Sequence, residues 1–144
     1  MNLKLVVPPE VRDFYQTDSF ENYPLVKLNS GHVDSRGCIQ NIVDGNIGDV
    51  AWITSVRGST RASHVHKTDW HFTFIVSGEL VYTFSHDINP RAYHQIQVSS
   101  NNLIFTPPNV FHKMEFNSDT EMIVVSRNSR QSRLYEADTI RIRN

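Results

Sequence analysis

The stretch from Gly58 to Leu80 reads GSTRASHVHKTDWHFTFIVSGEL and holds three of the chain's seven histidines, His64, His66 and His71. A neutral imidazole offers one ring nitrogen as a proton acceptor or as a metal ligand. In extended backbone, alternate side chains share a face, so His64 and His66 point one way and Val65 the other. In the next run His71, Thr73 and Ile75 share one face, and Phe72, Phe74 and Val76 share the other. A fourth imidazole, His112, follows Pro107-Pro108-Asn109 and shares its face with Met114 and Phe116. If these segments line one interior, His64, His66, His71 and His112 converge on a site for a single divalent metal ion. Zinc, iron, nickel and manganese all accept imidazole, so its identity is open. Alternatively, the same histidines do acid–base work with no metal. His32, His86 and His94 fall in turn-like or polar settings and read as ordinary hydrogen-bonded histidines.

Ligands of this kind need rigid strands, and the chain supplies many short runs rich in Val, Ile, Thr, Phe and Tyr. The expected strands are Leu25–Leu28, Ile39–Val43, Asp49–Ser55, His71–Val76, Leu80–Ser85, His94–Val98, Leu103–Thr106, Val110–Phe116 and Glu121–Ser126. Breakers separate them, among them Asp44-Gly45-Asn46, Ser99 to Asn102 and Asn117-Ser118-Asp119. Val76-Ser77-Gly78-Glu79 reads as a tight hairpin. Helical periodicity is weak outside a single turn between Pro9 and Tyr15. This pattern predicts an all-β sandwich or barrel. The length of 144 residues fits one domain: an N-terminal arm over 1–24, a core barrel over about 25–127, and a polar C-terminal segment over 128–144. That last segment is expected to lie across the outside or on a partner subunit.

The bulk numbers exclude several roles. A net charge of −1 argues against tight nonspecific binding to nucleic acid or to anionic membranes. No apolar run approaches a membrane span, and the apolar start at Met1 is cut short by Pro8 and Pro9, unlike a secretory signal. Cys38 is the only cysteine, so no internal disulfide can form, and a reducing cytoplasm is the expected location. No helix-turn-helix segment is evident.

The spacing of Gly58, His64, His66, His71 and Gly78 resembles the first motif of the cupin family, with His71 where the family usually has glutamate. Pro107 and His112 fit the second motif. Asn101 and Asn109 stand where that motif has glycines, asparagine being the residue next most tolerant of positive φ, and Asn117 comes one place late. The resemblance implies a single-domain cupin jelly-roll β-barrel, a homodimer, with one metal ion in the barrel. Histidine in place of glutamate would make a four-imidazole set with no carboxylate, leaving the charge of the ion uncompensated and favouring anionic substrates or hydroxide.

Asp34-Ser35-Arg36-Gly37 and Arg61-Ala62-Ser63-His64 look like elements of cupins that act on nucleotide-linked deoxysugars: the 3,5-epimerases of the rhamnose pathway, the 3,4-ketoisomerases, and the cupin domain of capsular-polysaccharide reductases. The first two groups have glycine where this chain has Ala62. The resemblance implies a small-molecule substrate such as a dTDP- or UDP-sugar. It makes His64 the general base with His66 beside it, has Arg61 hold a phosphate or sugar oxygen, and has Arg36 contact the diphosphate, in its own subunit or a neighbour's. Trp52 and Trp70 could stack on base or sugar, or simply pack. The expected reaction is epimerisation or keto-isomerisation by proton removal next to a carbonyl. A histidine-ligated dioxygenase and a non-catalytic small-molecule sensor are the alternatives open to such a pocket.

Overall fold

Strands in this chain alternate between an apolar interior and a covered or solvated exterior, and two antiparallel sheets result. A computed structural model describes residues 5, 7–12, 15, 18–87 and 91–142. In chain order the elements are α1 (Pro9–Arg12), β1 (His32–Asp34), β2 (Gly37–Ile39), β3 (Asp49–Ser55), β4 (Thr60–His66), β5 (His71–Ser77), β6 (Glu79–Ser85), β7 (His94–Ser99), β8 (Leu103–Thr106), β9 (Phe111–Phe116), β10 (Thr120–Ser126), α2 (Ser132–Asp138) and β11 (Thr139–Arg141). One sheet runs β3-β10-β5-β8, the other β11-β4-β9-β6-β7, and β1 and β2 form a separate small hairpin. The two larger sheets face each other as a jelly-roll barrel. Ile75, Ile104, Met122 and Val124 from the first pack against Leu80, Tyr82, Phe84, Val98 and Phe116 from the second.

A second apolar layer lies on the other face of the four-stranded sheet. There Trp70, Phe72, Leu103, Phe105 and Val125 are covered by Val11 of α1 and by Val26. The N-terminal region therefore completes the core instead of trailing from it.

Several sequence expectations need correction. Leu25–Leu28 makes only a single bridge, Leu25 to Ile104. The strand expected over Ile39–Val43 is β2, which ends at Ile39. The helical turn expected to reach Tyr15 is described only over Pro9–Arg12; parts of the N-terminal arm, including Met1, lie outside the described residues. Ser77-Gly78-Glu79 is not a hairpin, because β5 and β6 belong to different sheets. Gly78, at φ 98°, turns the chain across the barrel, and a Cβ there would lie 2.5 Å from the Asp119 carbonyl oxygen. The C-terminal segment is not external wrapping: β11 pairs with β4, with Thr139, Ile140 and Arg141 opposite His66, Val65 and His64.

Among the described residues, no helix is long and apolar enough to cross a membrane.

Candidate functional site

β4 brings His64 and His66 into the barrel through a local irregularity. Ala62 and Ser63 both have positive φ, 66° and 64°, and the register against β9 shifts between Ala62 and His64. Such a bulge re-aims the strand, and it leaves His64 directly opposite His112. His112 is set by the preceding turn, where Asn109 takes positive φ (61°) and its backbone N–H donates to the His66 carbonyl at 2.7 Å. Asn101 also has positive φ, at 69°. Both asparagines thus stand where backbone freedom is needed.

The four expected imidazoles do gather. Ring centroids are 4.4 Å apart for His64 and His66, 4.7 Å for His64 and His112, and 4.6 Å for His66 and His71. All four side chains are buried. They do not form one equivalent set, however. His64, His66 and His112 bring one donor atom each within 4.8 Å of the others, and so, separately, do His66, Asp69 and His71. The second group brings in a carboxylate, Asp69, that the sequence reading did not name, while the first consists of imidazoles alone. Asp69 is 3% exposed, and its Oδ2 lies 3.2 Å from His71 Nε2. It was legible in one respect only: it stands two residues before His71, on the same side of an extended chain.

Hydrogen bonds fix two of the rings. The Thr139 hydroxyl donates to the Tyr135 carbonyl at 2.6 Å. Having spent its only proton there, it can only accept from His66 Nδ1, 3.3 Å away. His112 Nδ1 donates to the Val110 carbonyl at 3.1 Å. In both rings the lone pair is therefore on Nε2. His64 Nδ1 and His66 Nε2 are buried with no hydrogen-bond partner among the described residues. Burial, reinforced by the neighbouring imidazoles, depresses the pKa of His64 to about 3 and that of His66 to about 4. It also lowers that of His112. These rings are neutral at pH 7 and present lone pairs, which is the state a metal ligand or a base requires. Burial raises the Asp69 carboxyl, but the adjacent His71 ring and the bond from the Asn128 N–H outweigh it, and the group lies below the usual range. This donor set fits a divalent ion.

His64, His71 and His112 open onto a cavity of about 350 Å³. Its polar rim is Arg61, Arg130, Tyr135 and Arg141, and its apolar wall includes Ile53, Met114, Met122 and Val124. Arg61 is anchored on β3, its Nε donating to Ser55 Oγ at 2.7 Å and its Nη2 to the Thr54 carbonyl at 2.9 Å. Arg130 pairs with Asp49 at 3.2 Å and lies 5.8 Å from the Tyr135 ring centre. Burial raises the Tyr135 pKa, so its hydroxyl keeps its proton. Arg130, Tyr135 and Arg141 come from the segment expected to lie outside, and nothing in its polar composition pointed inward.

The expected substrate contacts Arg36, Trp52 and Trp70 are not brought to this cavity within one chain. Trp70 is 3% exposed and faces the second core layer, where its Nε1 donates to Glu10 at 3.1 Å. It precedes His71 by one residue, so strand alternation sends it to the opposite face. Trp52 alternates with cavity-lining Ile53 and is 68% exposed on the outer side of β3. Arg36 projects from the small hairpin and pairs with Asp34 at 2.6 Å. His32 pairs with Asp34 on the same hairpin. His86 and His94 pack near Tyr23 and Phe84. None of these three belongs to the cluster.

Residues 52–126, just over half of the chain, match the cupin domain family. The chain belongs to the cupin family. No curated protein matches the sequence significantly. Among solved structures, this cupin is similar to QdtA, a sugar 3,4-ketoisomerase from Thermoanaerobacterium thermosaccharolyticum in complex with TDP, at 19% identity over 83% of this chain and 89% of that one, with a TM-score of 0.65. It is also similar to WlaRB, a TDP-quinovose 3,4-ketoisomerase from Campylobacter jejuni, at 18% identity over 78% and 88% of the two chains, with a TM-score of 0.64. A third likeness is to CapF, a capsular polysaccharide assembling protein from Staphylococcus aureus, at 23% identity and a TM-score of 0.60. That match covers 83% of this cupin and 35% of CapF, so the chain spans about a third of it. At these identities the likeness is one of fold.

Proposed function

We propose that this cupin is a metal-binding isomerase that moves a proton next to the ketone of a nucleotide-linked keto-sugar, as an epimerase or ketoisomerase. The observation that carries the reading is the placement of neutral, buried imidazole lone pairs at the floor of a cavity rimmed by three arginines and a protonated tyrosine. A planar guanidinium matches a diphosphate with paired hydrogen bonds, and Arg61, Arg130 and Arg141 would hold that anion. The bound negative charge would offset the arginines and lift His64 from its depressed pKa toward neutrality, where a base works best. His64 would then take the proton from the carbon beside the carbonyl. The Tyr135 hydroxyl would donate to the enolate oxygen that forms. Return of the proton to the other face of that carbon is epimerisation; its transfer within the enediol is keto-isomerisation. Either way no atom is gained or lost. A divalent ion, when bound, would supply Lewis acidity toward a substrate oxygen. The ketoisomerases QdtA and WlaRB share the fold, which supports the substrate class. The arrangement of two copies as a homodimer is part of the same proposal, and would be how Arg36 reaches a site.

The test is exchange in heavy water with a thymidine-diphosphate-4-keto-6-deoxy sugar. Deuterium should enter at the carbon next to the ketone, and His64→Gln should slow this by roughly 10²–10⁴-fold. Dioxygen uptake by the iron-loaded protein without any exchange would overturn the proposal in favour of an oxygenase. Tight binding with neither reaction would make it a sensor.

A further inference from the structure

The two overlapping triads cannot both be filled, because each uses His66, whose Nδ1 is protonated and whose Nε2 has a single lone pair. One ion must choose between three imidazoles and two imidazoles with a carboxylate. The surroundings of the second set decide the matter. The far atom of every member is held: His66 Nδ1 by Thr139 Oγ1 at 3.3 Å, His71 Nδ1 by Ser126 Oγ at 3.4 Å, and Asp69 Oδ1 by the backbone N–H of Asn128 at 2.9 Å. Outer contacts of this kind orient ligands toward a common centre.

His71 Nε2 and Asp69 Oδ2 are 3.2 Å apart, yet Nε2 lacks a properly aligned hydrogen-bond partner. Two groups that aim past one another at this separation suit a shared ion. Tetrahedral zinc with bonds of about 2.0–2.1 Å places neighbouring ligand atoms about 3.4 Å apart. His66 Nε2 is likewise buried and unpartnered.

Charge points the same way. An all-imidazole set would leave two full positive charges in a buried site whose cavity already carries Arg61, Arg130 and Arg141. A carboxylate ligand halves that charge.

We infer that the ion is held by His66, His71 and Asp69, with Asp69 as the anionic ligand, and that His64 and His112 stay outside the coordination set. The inference rests on the proposed function in taking the cluster to be a metal site, and it deepens that reading by leaving His64 its lone pair for the substrate proton. A ligated nitrogen could not serve as base. Asp69 thus takes over the role of the missing glutamate from a position two residues earlier in the chain.

The test is cobalt binding. Protein stripped with a chelator is titrated with Co²⁺, followed by its visible absorption, and then with competing Zn²⁺. Asp69→Asn should weaken binding at least about tenfold, while His64→Gln should change it less than about threefold. X-ray absorption of the zinc-loaded unmodified protein needs no variant and should show oxygen together with two imidazoles. Three imidazoles without carboxylate oxygen, a larger loss in His64→Gln than in Asp69→Asn, or no stoichiometric binding by the unmodified protein would each overturn the inference. Heavy-water exchange is scored separately, so failure of the isomerase reading would leave the cobalt result standing, and the reverse.

Discussion

At the scale of the residue, Tyr135 and His64 divide the work the cavity would do. Their rings lie 6.3 Å apart between centroids, near enough to flank one small substrate. Burial keeps the tyrosine protonated and the imidazole neutral, so one is a donor and the other an acceptor before substrate arrives. Tyr135→Phe should lower kcat by roughly 10²–10³ through loss of a donor to the enolate oxygen, while Co²⁺ affinity stays unchanged; turnover and cobalt titration on the same preparation check this. The imidazoles themselves were legible from alternation alone, since His64, His66, His71 and His112 all face inward. Asp69 was not, because a carboxylate beside a strand is ordinarily solvated. Its burial is made tolerable by His71 beside it and by the N–H of Asn128, 59 residues away.

At the scale of the element, the bulge in β4 is the device that presents His64. Ala62 sits at φ 66°, a conformation costing an L-residue roughly 1–2 kcal/mol. The resemblance in sequence set glycine at this position in the 3,5-epimerases and 3,4-ketoisomerases, and the backbone supplies the reason. Ala62→Gly should relieve that strain, less the extra freedom glycine gains when unfolded, for a net stabilisation of about 0.5–1 kcal/mol. Urea unfolding checks it, and a loss of stability would mean the alanine methyl packs against the cavity to more effect than its backbone strain. The asparagines at 101 and 109 were read correctly from the same stereochemistry. Gly78 was read correctly as a turn and wrongly as a hairpin. Local sequence states that the chain must turn, but whether β5 and β6 pair depends on partners far away, β10 and β8 for one, β9 and β7 for the other.

For the whole molecule, the C-terminal segment is the part that closes the site. The Asp138 carboxylate accepts from Thr68 N at 2.9 Å, Thr68 Oγ1 at 2.7 Å and Asp69 N at 3.0 Å, tying α2 to the loop that carries Asp69. Asp138→Ala should cost about 1–3 kcal/mol and should also weaken substrate binding, since Tyr135 and Arg141 ride on the same segment; calorimetric melting and inhibition by thymidine diphosphate check both. Acid should unfold the protein for a separate reason. His64 and His66 have folded pKa values of about 3 and 4, below the unfolded value of about 6.5. Between those limits the unfolded chain binds more protons, so stability falls as pH falls through 6.5, by about 1.4 kcal/mol for each of the two at pH 5.5. Urea midpoints at pH 7.5 and 5.5 measure it; equal midpoints would mean that the rings already carry protons in the fold. Strand content, the cupin frame, the inward face of four histidines and the glycine-like turns were all readable along the chain, because these follow from period-two alternation and allowed φ within a few residues. That Asp69 joins the cluster, that Trp52, Trp70 and Arg36 do not reach the cavity, and that residues of the 130–141 segment build its rim became visible in the fold alone. Burial and partnership at those positions are set by chain segments distant in sequence, whose meeting no local pattern encodes.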